Sequence, residues 1–250
     1  MKKTDICAIC GRRAELSYDH IPPKCCGNNG DSYFISFTPK YLGKGAKEKN
    51  MHSQNGIKIQ SICHECNNKL GELYDKDLGR FREFVIAAMK NDRPQIEFDL
   101  KKVIMGVIGH LLAASEFDPS IPAKAMREYY FGISDKLIKS YSLFCCYYPY
   151  EKNIFILKNY VPLSFGINEI KPEGMLSSFY FFPFAFILAD KQKSSFKNDL
   201  FNSLVEPSLL IFGQDDWRNR GPTWPAVVDD HHGIVLSKSC ENSVFKYSKK

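Results

Sequence analysis

The chain has 250 residues, of which 44% are apolar, and it carries a formal net charge of +6. Its longest apolar runs, residues 103–114 and 179–189, are shorter than the roughly 20 residues that a membrane-spanning helix needs. The N-terminus lacks the apolar run of a signal peptide, so we expect a cytoplasmic protein with no membrane partner. The nine cysteines, an odd number that includes CxxC pairs, favour metal binding over disulfides.

Basic side chains are concentrated toward the N-terminus. Residues 1–90 contain fifteen Lys and Arg against ten Asp and Glu, a net charge of +5, which leaves +1 for residues 91–250. This distribution favours a polyanionic partner, although a solvated basic surface would have the same charge.

A polar stretch at residues 90–95, which contains Pro94, predicts a domain boundary. We therefore expect a first domain at residues 1–92, rich in Cys, Gly, Asn and Lys, and a second at residues 93–250, rich in aromatic and aliphatic side chains. The first domain begins with a tight CxxC turn, followed by an alternating strand at residues 14–21. A second short strand is expected at residues 57–62, after a long glycine-containing loop.

A helix is predicted from His64 to Lys90, weakened by Gly71 and Gly79. Its apolar side is expected to consist of Leu70, Leu73, Phe81, Val85 and Met89. The second domain is predicted to be α+β, with a helix over residues 100–117 and another over residues 122–132. The stripe of the first of these helices comprises Val103, Ile104, Val107, Ile108, Leu111 and Leu112. Residues 142–161 suggest a hairpin turning at residues 149–153, and strands are expected at residues 177–190 and 208–213.

The CxxC pairs predict a structural zinc site. Two residues between the cysteines of a pair allow one turn or helix start to direct both sulfurs at the same tetrahedral ion. The predicted ligands are Cys7, Cys10, Cys63 and Cys66. Because the second pair lies where a strand enters a helix, the zinc would pin a turn, two strands and a helix together.

The predicted zinc site positions Asp19 and His20, which end the first strand before Pro22 and Pro23. Asn67 follows the last zinc cysteine, in the first turn of the helix. If the strands pack across that helix, the three side chains face one pocket. Asp and Asn oxygens suit Mg²⁺ or Mn²⁺, and a neutral imidazole can accept a proton from water near neutral pH.

The segments "CAIC", "YDHIPP" and "ICHECNN" together resemble the HNH, or ββα-metal, endonucleases built on a CxxC…CxxC zinc frame. The resemblance covers about residues 5–78. It implies a treble-clef-like, zinc-pinned ββα-metal domain at the N-terminus, followed by the mixed α+β domain.

The resemblance also implies roles for individual residues. Asp19 would be one ligand of a catalytic Mg²⁺ or Mn²⁺, and His20 the general base. Asn67 would be the second ligand, with Asn68 as a fallback. The family's middle asparagine, which steadies the catalytic histidine, has no counterpart in the strand at residues 57–62. Asn55 is the nearest candidate, and a backbone carbonyl is the alternative.

The implied reaction is hydrolysis of a phosphodiester bond in nucleic acid, with DNA favoured over RNA. His20 would deprotonate a water in line with the leaving oxygen, and the cation would stabilise the developing charge. The side chains expected to contact backbone phosphates are Lys24, Lys40, Lys44, Lys47, Lys49, Lys58 and Lys69. Residues 93–250 would bind substrate, a partner protein or a regulatory ligand, and a role in prokaryotic or phage defence or in a mobile element fits such an architecture.

The alternative is a zinc-knuckle module that binds nucleic acid or protein without catalysis. Other signals are weaker. The "DDHHG" run at residues 229–233 suggests a polar turn more than a metal site, and Trp217, Arg218, Arg220 and Trp224 suggest a core-packed loop more than a stacking surface. His64 is expected at an exposed position, His52 in a mobile loop, and His110 as a satisfied core histidine.

Overall fold

A computed structural model of the protein describes residues 3–36, 51–90, 95–114, 116–148, 154–166, 169–172, 176–191, 199–204, 234–236 and 244–247. These residues form a mixed α+β structure, as the sequence predicted. The strands are β1 (Thr4–Ile6), β2 (Arg13–His20), β3 (Ser32–Ser36), β4 (Met51–Ser53), β5 (Lys58–Cys63), β6 (Tyr141–Tyr147), β7 (Ile154–Gly166), β8 (Glu169–Pro172), β9 (Leu176–Phe181), β10 (Phe184–Asp190), β11 (Ile234–Leu236) and β12 (Val244–Tyr247). The helices are α1 (His64–Leu70), α2 (Lys76–Met89), α3 (Leu100–Ala113), α4 (Ile121–Tyr130), α5 (Lys136–Ser140) and α6 (Leu200–Ser203). A short 3₁₀ helix (Lys24–Cys26) follows β2.

Among the described strands, a small three-stranded sheet carries the Asp-His pair and Cys63. Its strand order is β1-β2-β5, and both pairings are antiparallel. The register places His20 opposite Lys58 and Asp19 opposite Ile59, with an irregularity between Ser17 and Tyr18. His20 is therefore the last paired residue of β2.

The larger sheet has the order β4-β3-β12-β7-β9-β10-β6, with β8 and β11 paired to β7. The predicted hairpin at residues 142–161 is wrong, because β6 pairs with β10 whereas β7 pairs with β9. The β9 and β10 strands are joined by only Phe182 and Pro183, so they pair with each other and lie between β6 and β7. Strands β3 and β4, from the predicted first domain, join this sheet through β12. The boundary between residues 92 and 93 itself stays a prediction.

The predicted helix of residues 64–90 continues through Gly71. Residues Gly71–Asp75 form a π-helical segment between α1 and α2. A π segment adds a residue per turn and rotates the side chains that follow it, and such segments are frequent at functional sites. Leu70 and Phe81 are buried as predicted, whereas the prediction for Leu73 is wrong: this side chain is 47% exposed.

Helix α3 is buried along nearly its whole length, from Val103 to Ala113. All six predicted stripe residues are buried. Asp99 caps its first turn by accepting from the backbone N–H groups of Lys101 and Lys102. The backbone N–H of Asp99 in turn donates to Asp77 of α2 at 2.9 Å. The start of α3 is thereby fixed against α2.

The C-terminal end of α3 contacts the small sheet, where the hydroxyl of Ser61 on β5 donates to the carbonyl of Ala113. Arg127 of α4 donates to the Ala8 carbonyl in the CxxC turn at 3.5 Å. These bonds hold α3 and α4 against the strands that carry the candidate site. No described helix is long and apolar enough to cross a membrane.

Candidate functional site

Four cysteines from two distant parts of the chain meet at one end of the small sheet. The sulfur atoms of Cys7, Cys10, Cys63 and Cys66 all lie within 4.8 Å of one another. The Cys10 and Cys63 sulfurs are 3.9 Å apart, close to the roughly 3.8 Å expected for tetrahedral thiolates with 2.3 Å metal bonds. The arrangement can bind a structural metal such as zinc, with the predicted ligands.

Local backbone geometry orients these sulfurs. Gly11 adopts a positive φ of 71° and closes the turn by donating to the Cys7 carbonyl at 2.9 Å. The second pair spans the junction of β5 and α1, since Cys63 precedes the helix and Cys66 lies in its first turn. Each CxxC pair therefore spans a bend in the chain that places both sulfurs on one side.

The surroundings of Cys7 favour a thiolate. A hydrogen bond from the Cys66 thiol and bonds from the backbone N–H groups of Cys10 and Cys63 lower the pKa of Cys7 below its usual range, against the opposing effect of burial. The two backbone N–H groups lie 3.5 and 3.3 Å from the Cys7 sulfur. Because metals bind the deprotonated form, this environment suits a metal ligand.

His20 lies at the end of β2, with its Nε2 atom 3.0 Å from the backbone carbonyl oxygen of Asn55. A carbonyl can only accept, so Nε2 carries the hydrogen and Nδ1 keeps a lone pair. Burial and the charge of Lys24 lower the pKa of His20, despite the opposing hydrogen bond to Asn55. His20 is therefore a neutral imidazole with one basic nitrogen at neutral pH. The sequence left two candidates for the group that steadies His20, the Asn55 side chain and a backbone carbonyl. In the structure, the backbone carbonyl of Asn55 contacts the ring.

A second asparagine, which sequence reasoning missed, holds the chain segment that follows that carbonyl. Asn28 is fully buried, and its Nδ2 donates to the carbonyls of Pro22 at 2.7 Å and Ile57 at 2.9 Å. Its Oδ1 accepts from the Ile57 backbone N–H at 2.7 Å. Gly56 passes so close that a Cβ there would lie 2.2 Å from the Asn28 carbonyl oxygen. Asn28 thus ties the chain after His20 to the chain after Asn55.

Asn67 is anchored to β2 by its amide nitrogen. Its Nδ2 donates to the Ser17 hydroxyl and to the Tyr18 carbonyl, both at 3.0 Å. The Ser17 hydroxyl itself donates to the Ile62 carbonyl at 3.0 Å, so it must accept from Asn67. The amide oxygen is therefore the atom of Asn67 that remains for a metal.

Asp19 faces inward, in contrast to its exposed neighbour Tyr18. Its carboxylate is nearly buried and lies 3.4 Å from Nδ1 of His110, which comes from α3 and is completely buried. On the other side of the ring, Nε2 of His110 donates to Asp75 at 2.9 Å. His110 thus connects the predicted metal ligand Asp19 to the end of the π-helical segment.

The electrostatic environment of His110 is strongly negative. Burial by itself opposes a charge on the ring, yet Asp75 and Asp19 outweigh it and raise the pKa of His110 to about 10. The hydroxyl of Tyr130 is buried nearby. Burial, followed by the charges of Tyr74, Cys66, Asp75 and Asp19, raises the pKa of Tyr130.

Three of the predicted phosphate-contacting lysines fall in the described structure. Lys24 is exposed, Lys58 is half-buried opposite His20, and the Lys69 ammonium lies 5.4 Å from the centre of the Tyr130 ring. Lys24 and Lys58 both act electrostatically on His20. The remaining candidates, Lys40, Lys44, Lys47 and Lys49, lie outside the described residues.

Two further histidines and the neighbouring Cys25 and Cys26 also fall within the described residues. His64 is exposed at the start of α1, and His52 on β4 lies 3.8 Å from a carboxylate oxygen of Asp31. Cys25 donates to the Asp75 carbonyl at 3.1 Å, and Cys26 is buried. The "DDHHG" run and the tryptophan-arginine segment at residues 214–225 lie outside the described residues.

Sequence reasoning missed Asn28, Asp75 and the participation of His110. His110 had one signal, since a histidine within an apolar helical stripe must find a partner when buried. No sequence signal identified Asp75, because its position relative to α3 depends on the π-helical segment.

Comparisons of the chain with protein-family models, with curated proteins and with solved structures found no match.

Proposed function

We propose that the protein is a metal-dependent HNH-type endonuclease that hydrolyses phosphodiester bonds in nucleic acid, with DNA as the favoured substrate. Residues 1–92 would form its zinc-framed, treble-clef-like ββα-metal domain. Residues 93–250 would serve substrate, partner or ligand recognition.

The observation that carries this proposal is the state of His20. Its Nε2 hydrogen is committed to the Asn55 carbonyl, which leaves Nδ1 as a base, and its pKa is lowered so that the base is neutral. General-base catalysis needs such a positioned, unprotonated imidazole.

The chemistry follows from the placement of these groups. Nδ1 of His20 takes a proton from the attacking water, while the hydrogen bond to Asn55 fixes the ring plane. Asp19 would hold the divalent cation, and Asn67 would be the second ligand through its amide oxygen. When bound, the cation supplies positive charge at the phosphate and at the leaving oxygen. Lys24 and Lys58, near His20, would attract the phosphate backbone without reading sequence.

The test is cleavage of supercoiled plasmid DNA and of single-stranded RNA in Mg²⁺ or Mn²⁺, comparing the wild type with His20→Ala. We expect His20→Ala to lower the cleavage rate by at least about 100-fold, the usual scale for loss of a general base. Nucleic-acid binding and melting temperature should change little. His52→Ala removes a more exposed histidine from β4 and serves as the matched control.

Cleavage at the wild-type rate by His20→Ala would remove this residue from the mechanism. Binding of nucleic acid without cleavage by the wild-type protein, in either metal, would favour the zinc-knuckle module instead. Preferential cleavage of the RNA would reverse the expected substrate.

A further inference from the structure

A buried polar cluster joins three segments that are far apart in sequence. It consists of Asp19 at the end of β2, Asp75 at the end of the π-helical segment and His110 on α3. Asp75 and Asp19 lie on opposite sides of the His110 ring, 2.9 Å from Nε2 and 3.4 Å from Nδ1. The cluster adjoins His20 but has no role in the mechanism given above except through Asp19.

Two atoms in this cluster face each other without a hydrogen bond. Oδ2 of Asp19 and Nδ1 of His110 are both buried, and neither has a hydrogen-bond partner within the described residues. A proton on Nδ1 would make this contact an ion pair, whereas a neutral ring would direct the Nδ1 lone pair at the Asp19 carboxylate, because Asp75 takes the Nε2 hydrogen. These two buried atoms therefore need positive charge between them, which either a proton on Nδ1 or a metal ion can supply.

The charge of the cluster supports the same conclusion. Two carboxylates accompany a single imidazole, so the cluster keeps a net negative charge even when the ring is protonated. Buried charge without compensation is strongly unfavourable. A divalent cation beside a neutral imidazole would bring the net charge of these three side chains to zero.

We propose that Asp19 Oδ2 and His110 Nδ1 bind one divalent cation and that Asp75 orients the ring. This inference rests on the proposed function, since it makes His110, in place of Asn67, the second protein ligand of the catalytic cation. With metal bonds of about 2.1 Å, a 3.4 Å separation corresponds to an angle of about 108° at the ion. Carboxylates that orient metal-bound imidazoles in this way are a common feature of metal sites.

The donor set favours particular ions. An imidazole nitrogen binds transition metals better than it binds Mg²⁺, which prefers oxygen ligands. The cluster should therefore bind Mn²⁺ more tightly than Mg²⁺. The hydroxyl of Tyr130 is also buried without a hydrogen-bond partner among the described residues. It lies close enough for the charges of Asp19 and Asp75 to raise its pKa.

The probe is Mn²⁺ alone, titrated into full-length protein that retains its zinc and followed by electron paramagnetic resonance. His110→Gln is the informative variant, because the Gln amide can still donate to Asp75 but offers no lone pair at the Nδ1 position. Asp77→Asn is the matched control, since Asp77 is also buried but accepts from the backbone of Asp99. Asp75→Asn keeps an acceptor for Nε2 and tests the orienting role without removing a ligand.

We expect about one Mn²⁺ per wild-type chain, more than 100-fold weaker binding in His110→Gln, and about 10- to 100-fold weaker binding in Asp75→Asn. Asp77→Asn should bind as the wild type does. If His110→Gln does not fold, Asp75→Asn decides the outcome.

Wild-type protein that binds no Mn²⁺ would overturn the inference and leave His110 as a buried imidazolium. Mn²⁺ binding that is lost in Asn67→Ala but retained in His110→Gln would also overturn it, while leaving the proposed nuclease intact. Mn²⁺ binding that depends on His110 in a protein that cuts nothing would support the cation site and refute the nuclease.

Discussion

Replacement of Asn28 with alanine tests how the His20 site is held together. Alanine removes both donors that reach the Pro22 and Ile57 carbonyls and the acceptor for the Ile57 backbone N–H. The Ile57 carbonyl keeps a partner, because the backbone N–H of Ile21 also donates to it at 3.2 Å. In the variant, the buried backbone N–H of Ile57 has lost the Asn28 oxygen that accepted its hydrogen bond.

The expected cost follows from these bonds. A neutral hydrogen bond contributes about 1 kcal/mol net, and a buried donor without a partner costs about 1–3 kcal/mol. We therefore expect Asn28→Ala to lower the free energy of unfolding by about 4 kcal/mol, a large share of the 5–15 kcal/mol typical of a folded domain. Asn68→Ala, at an exposed position of α1, should change it by less than about 0.5 kcal/mol.

The measurement is urea unfolding of zinc-loaded protein, followed by circular dichroism, with the free energies compared through the midpoints and slopes. A loss below about 1 kcal/mol, or a loss equal to that of Asn68→Ala, would show that Asn28 does not hold the two segments together. A second readout is cleavage below the unfolding transition. Folded Asn28→Ala protein should cut more slowly, since the Asn55 carbonyl that orients His20 is no longer fixed.

Two further changes test the four-cysteine zinc site and the close packing of Gly109 against Leu70. Cys10→Ala should reduce the zinc content well below one ion per chain and lower the melting temperature, because structural zinc stabilises the fold directly. The control variant Cys25→Ala should retain the zinc. Equal zinc content in the two variants would refute the four-cysteine site. Gly109→Ala should destabilise the protein by about 1–3 kcal/mol in urea, since its Cβ would lie 2.4 Å from Leu70 Cδ1. At Gly106 on the same helix, a Cβ would make only ordinary contacts, with the closest atom at 3.5 Å, so Gly106→Ala should be neutral or stabilising. An equal loss of stability in both glycine variants would refute the close-packing argument.

Local patterns in the sequence were sufficient for the elements of the site. The CxxC spacing predicted the four cysteines, because two intervening residues limit how the sulfurs can be directed. The helical stripe of α3 was predicted because apolar side chains that recur every three to four residues share one face. The end of β2 at His20 followed from the two prolines, since proline has no backbone N–H to donate to a neighbouring strand.

Strand order was not predictable in the same way. Residues 142–161 have the pattern of a hairpin, but β9 and β10 are joined by a shorter connection and lie between β6 and β7. Alternation of apolar and polar residues marks a strand and its inward face. It contains no information about which neighbouring strand supplies the hydrogen bonds.

The partners of the buried polar groups were decided by the tertiary structure alone. Asn28 pairs with Ile57, and His110 lies between Asp19 and Asp75, through contacts between segments that are far apart in the chain. The sequence requires that each such group, once buried, find a partner. Which partner it finds depends on how α3 crosses the small sheet and on how the π-helical segment turns Asp75 toward that helix, and no local pattern specifies either.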